Sequence, residues 1–233
     1  MASNEGFQFR QFYVRHDRCA MKVGTDGVLL GAWCPLDHPA RILDIGTGSG
    51  LVALMIAQRC PKAQIDAIDL DSSAVNQARE NFSQSVFRSQ LSVAESSLQA
   101  WNGGPYDLIV SNPPYFQNSL KNPDEGRKTA RHTDTLSFAE LIVHSVRLLA
   151  INGRLALILP AETEKEVLSL ADSQGLHLTH ITHVFSKATK PARRVLLCFA
   201  KNDCLLTKDT LVLENDKGDR SEAYRQLTKD FYL

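Results

Sequence analysis

The sequence has no CxxC pair and no cysteine or histidine spacing suited to a metal, although it holds five cysteines, Cys19, Cys34, Cys60, Cys198 and Cys204. Scattered thiols in odd number argue against a disulfide framework and suit a reducing cytosol; no metal is expected. Long apolar runs are also missing: none approaches the length that spans a bilayer, which argues against a membrane partner. Met1 to Gly6 lacks the basic and apolar regions of an export signal, so a cytoplasmic protein is expected. There is no internal repeat and no low-complexity tract, which excludes solenoids and disordered linkers. Net charge is absent as well: 26 Lys and Arg balance 26 Asp and Glu, so only local clustering can speak for or against nucleic acid. What is present is ordinary globular composition, 43% hydrophobic and 22% charged over 233 residues. We expect one compact monomeric unit, with residues 1–36 as an N-terminal extension and residues 37–233 as the main domain.

The most informative stretch is Ser111-Asn112-Pro113-Pro114-Tyr115, directly after the apolar run Tyr106 to Val110. That run reads as a buried strand, and the two prolines must end it because neither has an N–H for a ladder. Proline also restricts the residue before it, so Asn112 and the Pro113 carbonyl are held with little freedom. An amide oxygen beside a main-chain carbonyl makes a pair of acceptors suited to a planar NH2. Tyr115 adds a flat face for stacking. A proline-rich turn with a capping Asn is the plain alternative. A strand-end loop in an open α/β sheet favours the catalytic one, with Asn112, Pro113 and Tyr115 as its candidates.

A second signal is Arg41-Ile42-Leu43-Asp44-Ile45-Gly46-Thr47-Gly48-Ser49-Gly50, an apolar strand, a glycine-dense turn and then a helix from Leu51 to Gln58. Glycines there admit positive φ and close approach of a ligand to the backbone, as for a nucleotide. The dinucleotide pattern wants glycine at positions one, three and six, whereas here the third glycine falls at five and Leu51 takes six. Asp44 stands two residues ahead of Gly46. A carboxylate there would repel pyrophosphate and attract the cationic amino-acid end of a sulfonium cofactor, so Asp44, Gly46 and Gly48 favour S-adenosyl-L-methionine over NAD. Gln64 to Asp69 reads as the next strand, and Asp69, with Leu70 beside it, is placed for a ribose diol. Asp71 reads as the N-cap of the following helix. A third strand, Leu91 to Ala94, ends at Glu95 and Ser96, where an adenine edge would fall.

Elsewhere alternatives stay open. Thr25 and Asp26 either cap the helix from Val28 to Trp33 or, with Lys22, line a site. Residues 116–136, with Arg127, Lys128, Arg131 and His132, form a polar loop that is either a substrate clamp or plain surface. Ser137 to Glu140 is a capping box that opens a helix. Strand and helix then alternate, giving a doubly wound α/β sheet, with Leu178 to Phe185 and Arg194 to Ala200 as a final hairpin and an antiparallel edge. No acid occurs between Asp172 and Asp203, while Lys187, Lys190, Arg193 and Arg194 fall inside, so RNA contact is expected there, with Arg131 as a further basic candidate. His177, His180 and His183 alternate faces on one strand, which argues against a metal cage.

These residues together resemble a known family. Asp-x-Gly-x-Gly-x-Gly at 44–50, the acid at 69 and Asn-Pro-Pro-Tyr at 112–115 are similar to class I S-adenosylmethionine-dependent methyltransferases acting on amino groups. Met21 to Trp33, Lys190-Pro191-Ala192-Arg193-Arg194 and the terminal Phe231-Tyr232-Leu233 resemble, more narrowly, the bacterial tRNA(Val) adenine-37 N6-methyltransferase family. The resemblance implies a Rossmann-like sheet of seven strands with the last antiparallel, cofactor contacts at Lys22, Thr25, Asp26, Gly46, Asp69, Glu95 and Asn112, and a tRNA substrate methylated beside the anticodon. A planar glutamine amide on a protein fits the same pair of acceptors, as does a base of rRNA or DNA. A catalytically silent RNA-binding module is the reading from another class.

Overall fold

The strands of the main sheet are apolar on both faces, and the alternation of their side chains dictates two covering layers. On the strand from Leu149 to Pro160, Leu155, Leu157 and Leu159 pack into one core, while Ala156 and Ile158 pack into the other. A strand buried on both sides needs helices above and below it. Residues 5–19, 22–113 and 136–233 are described in the computed structural model. Their elements are β1 (Gly6–Gln8), β2 (Tyr13–Arg15), α1 (Thr25–Trp33), β3 (Arg41–Ile45), α2 (Leu51–Arg59), β4 (Gln64–Asp69), α3 (Ser72–Gln84), β5 (Leu91–Glu95) and β6 (Tyr106–Ser111). They continue with α4 (Phe138–Leu148), β7 (Leu149–Pro160), α5 (Glu164–Ser173), β8 (His177–Lys187), β9 (Ala192–Ala200), β10 (Thr207–Glu214) and α6 (Glu222–Thr228). Helices α1, α2, α3 and α6 contribute to one core, and α4 and α5 to the other.

Among the described residues the main sheet has eight strands in the order β10-β8-β9-β7-β6-β3-β4-β5. All neighbouring pairs are parallel except those that β9 makes with β7 and β8. The doubly wound, mostly parallel sheet read from the sequence is present, with two differences. The antiparallel strand β9 is interior, between β7 and β8, where an edge was expected. An eighth strand, β10, pairs in parallel with β8 and forms that edge. Its sequence, Thr-Lys-Asp-Thr-Leu-Val-Leu-Glu, buries only Leu211, too little hydrophobic pattern to stand out. Residues 7–14, read as one strand or arm, instead form the small hairpin β1–β2, whose Phe9, Phe12 and Val14 join the first core.

Local chemistry explains the helix starts. Asp71 accepts from Ser73 N at 2.8 Å, as an N-cap does. Ser137 and Glu140 close the expected capping box. Helix α1 differs: its N-cap is Gly24 with no side-chain bond, so Thr25 and Asp26 do not cap it. At the start of α2, Gly50 has φ +81°, and a Cβ there would stand 2.4 Å from Phe82 Cε1. This glycine lets α2 pack on α3.

Gly50→Ala is therefore expected to cost roughly 3 kcal/mol, combining a left-handed alanine with an overpacked contact. Gly175→Ala, at φ +71° but with nothing within 4 Å of the added carbon, should cost about 1 kcal/mol. Urea unfolding of both variants measures the gap, and equal losses would mean that Phe82 is not a constraint.

Candidate active site

The glycine turn after β3 is fastened to the end of β4. Gly46 N and Thr47 N both donate to Ile68 O, at 2.9 and 3.1 Å, and Gly48 N donates to Asp69 Oδ2 at 2.8 Å. Gly46 and Gly48 have φ of +68° and +56°, and a Cβ on either would meet nothing within 4 Å. They border open space, so their role differs from that of Gly50: they leave room for a guest at the backbone. The open space is a cavity of about 330 Å³. Lys22, Thr25 and Asp26 line it from the segment entering α1, Asp44, Gly46 and Gly48 line it from the turn, and Asn112 lines it from the end of β6. Residues far apart in sequence, each expected at the site, thus meet around one cavity.

Asp44 is only 1% exposed. It accepts from Thr47 Oγ1 at 2.6 Å and from the Ala53 amide in the first turn of α2. Burial pushes its carboxyl up to about 7, the two hydrogen bonds oppose this, and the charge of Asp69 adds to it. A buried acid poised near neutrality welcomes a cation.

Asp69, Leu70, Glu95 and Ser96 do not line this cavity; they lie further along the same end of the sheet. Asp69 is opposite Glu95 in the β4–β5 ladder, and Ser96 N donates to Asp69 O at 3.0 Å. Leu70 is 51% exposed, unusual for so large an apolar side chain. Both Asp69 oxygens are engaged, Oδ2 by Gly48 N and Oδ1 by Asp71 N at 3.0 Å. Sequence reading missed this structural duty; each oxygen keeps a second lone pair for a diol. The ends of β6, β3, β4 and β5 stand side by side in that order, and the ladders put Asn112, Gly46, Asp69 and Glu95 level in a row about 14 Å long at ordinary strand spacing, with Asp44 two residues back on β3. Such a row suits an extended ligand.

Ser111 Oγ donates to Ile45 O at 2.9 Å, pinning the strand that carries Asn112 to the strand that carries Asp44. Pro113 is buried and is not part of the cavity lining. Tyr115 and Arg131 lie outside the described residues, as does nearly all of the 116–136 loop.

The basic segment is placed unevenly. Arg194, expected to meet RNA, donates from Nε to Asp26 Oδ2 at 2.8 Å, on the cavity wall. Lys187 stands 3.9 Å from Glu214 of β10. Lys190 and Arg193 are exposed and form no ion pair among the described residues. Acids from other elements thus answer a stretch that has none of its own: His180 meets Asp209 at 2.7 Å and His183 meets Glu164 at 2.8 Å.

Sequence reasoning also missed Asn81 on α3. It is 1% exposed, donates to Ser49 O at 2.7 Å and to Arg15 O at 2.8 Å, and accepts from Arg15 N at 2.9 Å. It ties the segment leading to Lys22 onto the glycine turn. A polar residue in mid-helix with no exposed duty was the only signal.

Comparison with known proteins shows the family. A family model described as methyltransferase small domain matches residues 24–178. A protein of Aeromonas hydrophila named tRNA1(Val) (adenine(37)-N6)-methyltransferase is 47% identical over 100% of this chain and 99% of its own. One of the same name from Bacteroides fragilis is 46% identical over 97% of each. Among solved structures, that of a predicted O-methyltransferase from Agrobacterium tumefaciens has a TM-score of 0.68 at 18% identity, covering 87% of this chain and 95% of that one, a likeness of fold. With a full-length match at that identity, and with the glycine turn, the acid before it and Asn112 around one cavity, the chain belongs to the tRNA1(Val) (adenine(37)-N6)-methyltransferase family.

Proposed function

We infer that this chain transfers a methyl group from S-adenosyl-L-methionine to the exocyclic N6 of adenine 37 in valine tRNA. The carrying observation is that Asn112, at the end of β6, shares a cavity with the glycine turn and Asp44 in a chain 47% identical to a relative of that name. The open space at Gly46 and Gly48 and the acid at Asp44 fit the cofactor's size and charge. When bound, the cofactor supplies an electrophilic methyl on a cationic sulfur.

The chain's own residues do the rest. The adenine amine has its lone pair spread into the ring, and the Asn112 side-chain oxygen and the Pro113 carbonyl accept its hydrogens and favour a pyramidal nitrogen with a localised pair. Once methylated, the nitrogen is cationic and sheds its proton readily, so no strong base is required; positioning carries the step. Tyr115 is assigned to stack on a base turned out of the anticodon loop, which costs less than extrusion from a duplex. Asp69 and Glu95 are assigned to the ribose and adenine of the cofactor, Asp44 to the neighbourhood of its charge. Lys190, in the turn between β8 and β9, and Arg193, at the start of β9, are exposed to solvent and are assigned to phosphates.

Incubating the protein with methyl-labelled cofactor and bulk tRNA should place the label in N6-methyladenosine at position 37 of valine tRNA; label in protein glutamine instead, or none at all, rejects the reading. Asn112→Ala should lower the rate by roughly 10² to 10³ while largely sparing cofactor affinity, and unchanged turnover would remove Asn112 from the chemistry. Neutralising Lys190 and Arg193 together should weaken tRNA binding and reduce the slope of log K against log salt by about two, as filter binding across a salt series would read; an unaltered slope makes this turn ordinary surface.

The Asp44 carboxyl gives a pH dependence. Held at about 7 against an ordinary 3.8, it keeps a proton in the empty protein that the unfolded chain has already released. Its contribution to stability is complete below about 3.8 and is lost as pH rises through about 7. A cation beside it favours the ionised form. Cofactor affinity should therefore rise with pH up to about 7, with proton release on binding, and Asp44→Asn should abolish both. Calorimetry in buffers of different ionisation enthalpy reads the proton, and binding without release near neutrality contradicts the assignment.

A further inference from the structure

The wall of the cavity formed by Lys22 to Gly27 belongs to a segment that enters the fold from outside the sheet. Asn81 holds its upstream part to the glycine turn. At the cavity, a Cβ on Gly27 would stand 3.0 Å from Leu51 Cδ2, so α1 lies close on α2. A polar attachment of this wall to the sheet comes from β9, beside the bond from Trp33 Nε1 at the end of α1 to Thr182 Oγ1 of β8 at 2.9 Å. Arg194 Nε meets Asp26 Oδ2 at 2.8 Å, and Arg194 Nη1 donates to Arg193 O at 3.0 Å, which orients the guanidinium plane. Arg194 pairs in the sheet with Pro160 at the end of β7 and with Val184 of β8, a rigid base for a positioned side chain. The partners are 31% and 24% exposed, so water screens the pair only in part.

Asp26 lines the cavity from the first turn of a helix that has no side-chain cap. Its carboxylate is one of the few fixed charges on that wall, and what orients it sets the shape and field that a cationic guest meets. We propose that Arg194 is a positioning residue for the cofactor wall rather than a phosphate contact: it holds Asp26, and through it the Lys22–Gly27 segment, against the sheet. The proposal rests on the assignment of this cavity to S-adenosyl-L-methionine. It also divides the Lys-Pro-Ala-Arg-Arg stretch by function, Lys190 and Arg193 turning outward and Arg194 inward.

The two roles are separated by measuring two quantities on the full chain. Titration calorimetry without RNA gives the affinity for S-adenosyl-L-methionine; tRNA binding over a salt series gives the number of phosphates neutralised. Arg194→Gln should weaken the cofactor about tenfold and leave the salt slope at its wild-type value. The double variant with Asp26→Asn should be no weaker than Asp26→Asn alone, because the two side chains act as one unit. An Arg194→Gln protein with wild-type cofactor affinity and a salt slope lower by about one makes Arg194 a phosphate contact and overturns the proposal. Thermal midpoints report whether each variant folds. Should Arg194→Gln fail to fold, Arg194→Lys keeps the charge without the planar fork and should lose cofactor affinity a few-fold at unchanged slope; undiminished affinity in that variant overturns the proposal equally. A wild-type chain that takes up no S-adenosyl-L-methionine would overturn the cofactor assignment and this proposal with it, an outcome distinct from failure of the Arg194 variants alone.

Discussion

Three amide hydrogen bonds from the glycine turn to the end of β4 set the geometry on which the site depends. Gly46, Thr47 and Gly48 give their N–H groups to Ile68 O and the Asp69 carboxylate, so the turn stands at a fixed height over two adjacent strand ends. Glycine takes positive φ without strain, and these bonds select that one conformation from the many open to Gly46 and Gly48. With them, the backbone is held back from the space that a ligand fills. Asp69 is thus a structural acid first, and any bond that it makes to a ligand is added to a carboxylate already braced.

The same economy of placement runs along the sheet. Parallel strands deliver their C-terminal ends to one side, and the order β6, β3, β4, β5 turns residues distant in the chain into neighbours in a line. Ser111 and Asn81 then lock the line to its surroundings, one by tying β6 to β3 and the other by tying the N-terminal segment to the glycine turn. Asp44 lies two residues back from that line on β3. Its burial is built into the fold, because its two donors come from the turn and from α2, and desolvation raises its carboxyl to about 7.

Much of this was legible in the sequence because the governing signals are local. Glycine spacing, an acid ahead of it, a proline pair closing an apolar run and a capping box each act within a few residues. What was not legible required partners far away in the chain. Asn81 has no local signature, since its three bonds go to Arg15 and Ser49. Arg194 read as one more cation in an acid-free stretch, and only folding brings it to Asp26. The strand β10 escaped notice because an edge strand covered on one side needs little hydrophobic pattern. The glycines show the same limit: Gly46, Gly48 and Gly50 are alike in sequence, yet the space around them separates two that face the cavity from one that packs on Phe82.

The reversed direction of β9 has a consequence for how the enzyme can change. Strands β3, β4 and β7 each bring a strand-to-helix loop to this side of the sheet, and such loops are bound into helix starts. An antiparallel strand brings a short hairpin tip instead, here residues 188–191 between β8 and β9, whose two stems are fixed by cross-strand ladders. That tip can be lengthened or recharged while the ladders stay in register. The length and charge of the tip can thus vary on a frame whose ladders keep Arg194 beside Asp26.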